Sequence, residues 1–298
     1  MAEFYESNRL LDDPPGLRKR LRDDGYVFLR DMLPAQDVLG LRRQILEICR
    51  GAGWLRSDSA VLDGVTDHAP ILEGEDAYNE VYAKVQALES FHRLKFDVAV
   101  MNVMEDLFQE PVVSLPQSIA RIAFPNDNAR GTQPHQDWIF VGGSTETISC
   151  WVPLGDISLE VGGLKVLAGS HKAGFLEPRP APGPGNRIVD VDPTLEWHQS
   201  AYRTGDILQF KSLTVHAAAT NLTSDKLRLS ADFRYTGTSH VITDEWLLPH
   251  GNIGGERLAW DTLEKGWEES PVSHYWSRWP SMKVKPHAWF WEKADSTS

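Results

Sequence analysis

Residues 205–221 read GDILQFKSLTVHAAATN. Gly205 and Asp206 are turn formers, Ile207 to Phe210 is an apolar run of strand length, and a second run carries His216 soon after. The same rhythm fills the middle of the chain. VVSLPQSIARIAF (112–124), TISCWVPLGDI (147–157), GGLKVLAGS (162–170) and LRLSADFRYT (227–236) are short runs punctuated by Gly, Pro, Asn and Asp. That spacing predicts a β-barrel or sandwich.

Outward from this core the periodicity changes. Leu17 and Leu21 sit at helical spacing before Asp24-Gly25, and YVFLR (26–30) then reads as a strand. After Pro34, the positions Val38, Leu41, Ile45 and Ile48 mark an amphipathic helix that Gly51 stops. Residues 51–80 are acidic, glycine-rich and aperiodic, which predicts a surface loop, and helical spacing returns over 81–109. The proline-rich EPRPAPGPGN (177–186) predicts a mobile loop or flap. Seven of the eleven tryptophans, Trp246, Trp260, Trp267, Trp276, Trp279, Trp289 and Trp291, fall within residues 241–298 and are expected to pack an irregular segment onto the barrel.

With 298 residues, 41% hydrophobic and 24% charged, the chain is long enough for one large core. No repeat or linker divides it, so a single domain over 1–298 is expected: helical to about 110, a β-core over about 111–240 and an aromatic-rich segment from about 241. The net charge of −12, with scattered basic residues, argues against a nucleic-acid or anionic-membrane surface and favours a small-molecule substrate. Cys49 and Cys150 match no metal-binding spacing and are expected to be buried thiols. Neither a leader-like N-terminus nor a membrane-spanning run is present, so the expected location is the cytoplasm.

The chemistry centres on PHQDWIF (134–140). Read as a strand, it sends His135 and Asp137 to one side with Gln133 and Ile139, and Gln136, Trp138 and Phe140 to the other. A carboxylate beside an imidazole inside a β-structure is costly unless both share a cation. Taken alone, His-x-Asp also fits a hydrogen bond in a surface hairpin. With His216 supplied by a separate strand, the three residues fit a two-histidine, one-carboxylate triad on iron(II), with positions left open for a 2-oxo acid and dioxygen. Downstream, Arg228, Ser230 and Asp232 share one strand face, opposite Leu227, Leu229, Ala231 and Phe233. A guanidinium there suits bidentate pairing with the distal carboxylate of 2-oxoglutarate.

LRDDGYVFLRDML (21–33), PQSIARIAFP (116–125), PHQDW (134–138), CWVPLGDISLEVGGLKVLAGSHK (150–172), GDILQF (205–210), VHAAATN (215–221) and LRLSADFRYT (227–236) occur in this order. The set resembles the phytanoyl-CoA dioxygenase (PhyH-like) family of iron(II)- and 2-oxoglutarate-dependent oxygenases. The resemblance implies a mainly β protein with flanking α-helices: a double-stranded β-helix, or cupin-like jelly-roll, with the N-terminal helices packed on one sheet. It implies Fe(II), 2-oxoglutarate and O2 as cofactors, with His135, Asp137 and His216 as catalytic metal ligands and Arg228 and Ser230 binding 2-oxoglutarate. Trp151, Gln117 and Gln133 are the further candidates for the cosubstrate pocket, with Gly163 as a turn residue and Ser170-His171 completing a structural loop motif. Some relatives carry a basic residue near the position of Ala123; here Arg121, on the same strand face, is the candidate replacement.

The implied reaction is hydroxylation of an unactivated C–H, with succinate and CO2 as co-products. In halogenating relatives a small residue replaces the carboxylate, so Asp137 favours hydroxylation over halide transfer. Two alternatives stand beside this: a cupin-like metal-dependent hydrolase or isomerase, which leaves Arg228 and Ser230 without a reason, and a catalytically silent binding protein on the same fold. The aromatic content, including Trp138 and Phe140, points weakly to an apolar or ring-containing substrate.

Overall fold

The computed structural model describes residues 1–125, 131–279 and 282–288. Its strands are β1 (Tyr26–Leu29), β2 (Val112–Ser114), β3 (Ile119–Ala123), β4 (Ile148–Pro153), β5 (Leu164–Leu167), β6 (Arg179–Pro180), β7 (Arg187–Ile188), β8 (Trp197–His198), β9 (Ile207–Lys211), β10 (His216–Ala218) and β11 (Arg228–Gly237). One sheet runs β1-β9-β4-β11-β2, with β3 also paired to β11, and a smaller sheet runs β10-β5-β8. The described pairings within these two sheets are antiparallel. This is the expected jelly-roll core.

Period-two alternation assigns each face of the large sheet. Val27, Leu29, Cys150, Val152, Ile207, Leu229, Ala231 and Phe233 join the helices in one apolar cluster. Tyr26, Phe28, Trp151, Leu208 and Phe210 point the other way and meet Leu164 and Val166 of the small sheet. One face is thus helix-covered, and the other closes the barrel. Leu17 and Leu21 reach the covered face from α1 (Pro14–Asp24), and Val38, Leu41, Ile45 and Leu46 from α2 (Ala35–Gly51).

Helix ends follow local chemistry. Asp13 accepts the Gly16 N–H at the start of α1, and Gly25, at φ +80°, turns the chain into β1. α2 begins directly after Pro34, but Gly51 is its last helical residue, and the left-handed turn is made by Gly53 at φ +78°. The region 81–109 is not one helix: α3 (Asp76–Gln86) starts inside the expected loop and is followed by α4 (Glu89–Arg93) and α5 (Val98–Phe108). Asp97 breaks the run by accepting from the Ala99 N–H as the N-cap of α5.

The tryptophan-rich segment packs largely on the helices rather than on the barrel. Trp260 and Trp267 form a cluster with Leu263, against Ala83, Ala87 and Phe96, and the Trp267 indole donates to Ala87 O. Trp279 instead lies by Val113 and Thr236 of the barrel, Trp246 is discussed below, and Trp289 and Trp291 lie outside the described residues. Cys49 and Cys150 are buried free thiols. No helix among the described residues is long and apolar enough to cross a membrane.

Gly163 does not make the turn expected of it; Gly162, at φ +76°, does. Gly163 instead makes room for Tyr202, because a Cβ there would lie 2.4 Å from the ring. Gly163→Ala should therefore destabilise the fold by about 1–3 kcal/mol through overpacking, read as a lower denaturant midpoint. An unchanged midpoint would show that the Tyr202 ring yields freely.

Candidate active site

The segment Pro134 to Phe140 is not a regular strand. His135 pairs with His216 across a single antiparallel bridge, with N···O distances of 3.1 and 3.0 Å. Asp137 already has helical φ/ψ of −61° and −29° and opens the short α6 (Trp138–Val141). The helical turn changes which side chains share a side. Phe140, expected away from His135, has its ring 5.8 Å from that imidazole and joins the same cavity wall. Gln136 is buried; its amide donates to Gly174 O and Leu213 O and accepts from Leu176 N. That clamp fixes the segment against two loops.

His135, Asp137 and His216 are all buried, and one ligand atom from each lies within 4.8 Å of the others. Each Nε2 is 3.7 Å from Asp137 Oδ1. Each Nδ1 faces a carbonyl two residues earlier, Gln133 O at 2.7 Å and Thr214 O at 3.0 Å. Donation from Nδ1 leaves the Nε2 lone pair for a ligand bond, the orientation that metal-binding histidines require. Burial, with His135 adding to it, pushes His216 down to about 3, so its imidazole is neutral at neutral pH.

Burial opposes the charge on Asp137, but Arg234 and the two imidazoles hold it well below the usual carboxylate range. Arg234 Nε donates to Oδ2 at 3.2 Å and Nη2 to Oδ1 at 3.2 Å, and the Ser149 hydroxyl also donates to Oδ2. Two imidazole nitrogens and one ionised oxygen converging in a buried pocket fit a divalent cation such as iron(II).

The cavity beside this cluster has a volume of about 450 Å³, and its wall includes Gln117, Phe140, Arg234 and Trp246. A second cavity of about 600 Å³ reaches Arg228, and Thr132, Tyr78, Arg121, Pro184 and Gly185 line both. Pro184 and Gly185 sit at the tip of the β6-β7 hairpin, so the proline-rich segment forms part of the wall.

Arg228 is buried, and its Nη1 donates to Ser230 Oγ at 2.9 Å. Its Nε has no partner among the described residues. Burial pushes its pKa down to about 10, against the pull of Asp232. An unsatisfied buried guanidinium edge is suited to an incoming carboxylate. Ala123 lies directly across from Arg228, and Arg121 across from Ser230. Arg121 is already paired, with Glu73 Oε2 at 2.6 Å and Asp232 Oδ2 at 3.2 Å.

The remaining candidates divide. Gln117 lines the cavity by the triad and donates to Leu248 O. Gln133 contributes its backbone carbonyl to His135, while its side chain turns back to Gly131 O. Trp151 is not in either cavity wall: it packs on Tyr202 with ring centroids 4.6 Å apart, inside the barrel's apolar cluster. Burial between the two sheets, rather than pocket lining, accounts for it. Ser170 and His171 are structural, accepting from Val215 N and donating to Arg22 O.

The chain matches the sequence profile described as phytanoyl-CoA dioxygenase (PhyH) over residues 21–230, more than half its length. It belongs to the phytanoyl-CoA dioxygenase family. Among curated proteins, 1-deoxypentalenic acid 11-beta-hydroxylase of Streptomyces arenae is 26% identical over 248 residues, covering 78% of this chain and 84% of the relative. The Streptomyces exfoliatus enzyme of the same name is 26% identical over 255 residues, covering 78% and 85%. Among solved structures, the epimerase SnoN in complex with Fe3+, alpha ketoglutarate and nogalamycin RO superposes with a TM-score of 0.56 at 21% identity, covering 83% of this chain and 93% of that one. Iron-bound EctD from S. alaskensis gives 0.55 at 18% identity, covering 96% and 91%. These two structures share the fold.

As a phytanoyl-CoA dioxygenase family member with its His-Asp-His cluster intact, the protein is a non-haem oxygenase dependent on iron(II), 2-oxoglutarate and O2. The sequence reading missed Arg234 and Ser149. Both signals were available: Arg234 continues the 228, 230, 232 face of β11, and Ser149 shares the inward face of β4 with Trp151.

Proposed function

We propose that His135, Asp137 and His216 hold iron(II), that Arg228 and Ser230 receive the distal carboxylate of 2-oxoglutarate, and that the protein hydroxylates an unactivated C–H of a small, ring-containing organic substrate. The convergence of two carbonyl-oriented imidazoles on one oxygen of a buried, ionised aspartate supports this reading above all. Bound there, the iron supplies the oxidising chemistry, with succinate and CO2 as co-products.

The chain's own residues bind and orient. His135 and His216 present Nε2, the Asp137 carboxylate offers Oδ1, and Arg228 offers its unpartnered Nε beside Ser230. Arg121 is neutralised by Glu73 and Asp232, so we place it in the wall between the two cavities rather than on the cosubstrate. Phe140 and Trp246 give the triad's cavity an apolar, aromatic side, and Gln117 gives it a polar one. The curated relatives are named as hydroxylases of 1-deoxypentalenic acid, which supports hydroxylation of a small organic molecule. We take the described elements as one oxygenase domain, because the helices pack on the β-core and the C-terminal segment packs largely on those helices, and we place it in the cytoplasm, which two buried free thiols favour.

Adding 2-oxoglutarate anaerobically to the iron(II)-loaded protein should produce the visible charge-transfer band of a chelated 2-oxo acid. A fully metallated protein that shows no such band would refute the cosubstrate assignment. Succinate release across a panel of ring-containing candidates, followed by mass analysis, should then find a product heavier by one oxygen; a product that has lost two hydrogens instead would replace hydroxylation with desaturation.

A further inference from the structure

The two oxygens of Asp137 are held differently. Oδ1 faces both imidazole Nε2 atoms at 3.7 Å and accepts one bond, from Arg234 Nη2, whereas Oδ2 accepts from both Ser149 and Arg234 Nε. Ser149 and Arg234 are direct cross-strand partners on β4 and β11, so one sheet register delivers both donors to the same oxygen. Arg234 is 5% exposed, and its guanidinium lies over the Trp246 ring, 4.8 Å from its centroid. Trp246 is in turn fixed by its indole N–H donating to Phe140 O at 3.2 Å. Nη1 of Arg234 has no partner among the described residues, although the side chain lines the triad's cavity.

We propose that Arg234 is a positioning residue that keeps Asp137 presenting Oδ1 alone, so that the carboxylate gives the metal one bond and leaves three positions open. Carboxylates bind cations through one oxygen or two. A free Oδ2 could take a second position, which the 2-oxo acid or dioxygen needs. The planar fork is the decisive property: it reaches both oxygens at once and fixes the carboxylate plane, which a single ammonium cannot do. The unpartnered Nη1 adds a buried donor for an oxygen of a molecule seated in the cavity. This inference rests on the metal-ligand reading above.

The test uses cobalt(II) as a spectroscopic probe on the full chain, comparing wild type with R234K and R234M. R234K keeps the positive charge beside Asp137 and guards against loss of folding, which thermal unfolding monitors. Both variants should change the visible cobalt spectrum and weaken 2-oxoglutarate binding to the metal-loaded protein by about tenfold or more, within the range for residues that orient metal ligands. Cobalt spectra and 2-oxoglutarate dissociation constants within twofold of wild type in R234K would overturn the proposal, because charge without a fork would then suffice. The underlying ligand assignment fails separately, if His135→Ala binds cobalt with the wild-type spectrum.

Discussion

Asp137→Ala is expected to lower substrate-coupled turnover by more than about 100-fold, beyond the 10- to 100-fold typical of residues that only support a metal ligand. The substitution removes the oxygen that faces both Nε2 atoms and strips Arg234 of its buried counter-ion. Leaving that guanidinium unpaired should also cost about 3–5 kcal/mol of stability, so the unfolding midpoint must fall with activity. Asp137→Asn separates the two effects, since it keeps the shape and removes the charge. Wild-type turnover by Asp137→Ala at full iron occupancy would refute the ligand role.

Arg228→Ala gives the second large effect. Its guanidinium is buried, partly unpartnered and pushed down to about 10 by that burial, so the charge gains most when a carboxylate arrives. Truncating one side of such a pair costs about 2–5 kcal/mol, and we expect the dissociation constant for 2-oxoglutarate to rise at least about 30-fold. Iron affinity should stay near wild type, because the hydrogen bond Arg228 makes goes to Ser230 rather than to a ligand side chain. An unchanged 2-oxoglutarate affinity would move the anchor elsewhere, and Arg121 would be the first residue to test.

The barrel was legible because its strands alternate cleanly. Leu229, Ala231 and Phe233 against Arg228, Ser230 and Asp232 gave the two faces of β11, and both proved right. The same rule misplaced Phe140, since Asp137 starts a helical turn and ends the alternation after His135. No local pattern marks that switch: Trp, Ile and Phe are all strand formers, and tertiary packing overrode them. The triad itself could be read from residue chemistry, as two costly groups and a distant histidine need a shared cation. Trp151 and Gly163 failed for one reason, Tyr202, whose ring packs on both and whose approach depends on long-range pairing. Arg234 was missed although the strand period predicted its face, because its partner Asp137 reaches it only through the fold.

The central claim is that three side chains from two segments, His135 and Asp137 from one and His216 from the other, converge on one ion. Crystals loaded anaerobically with iron(II) and measured across the iron absorption edge test it directly. The account predicts one anomalous peak, about 2.0–2.2 Å from His135 Nε2, His216 Nε2 and Asp137 Oδ1, with Oδ2 still held by Arg234 and Ser149. A peak away from these atoms, or none in crystals whose protein carries stoichiometric iron, would contradict it.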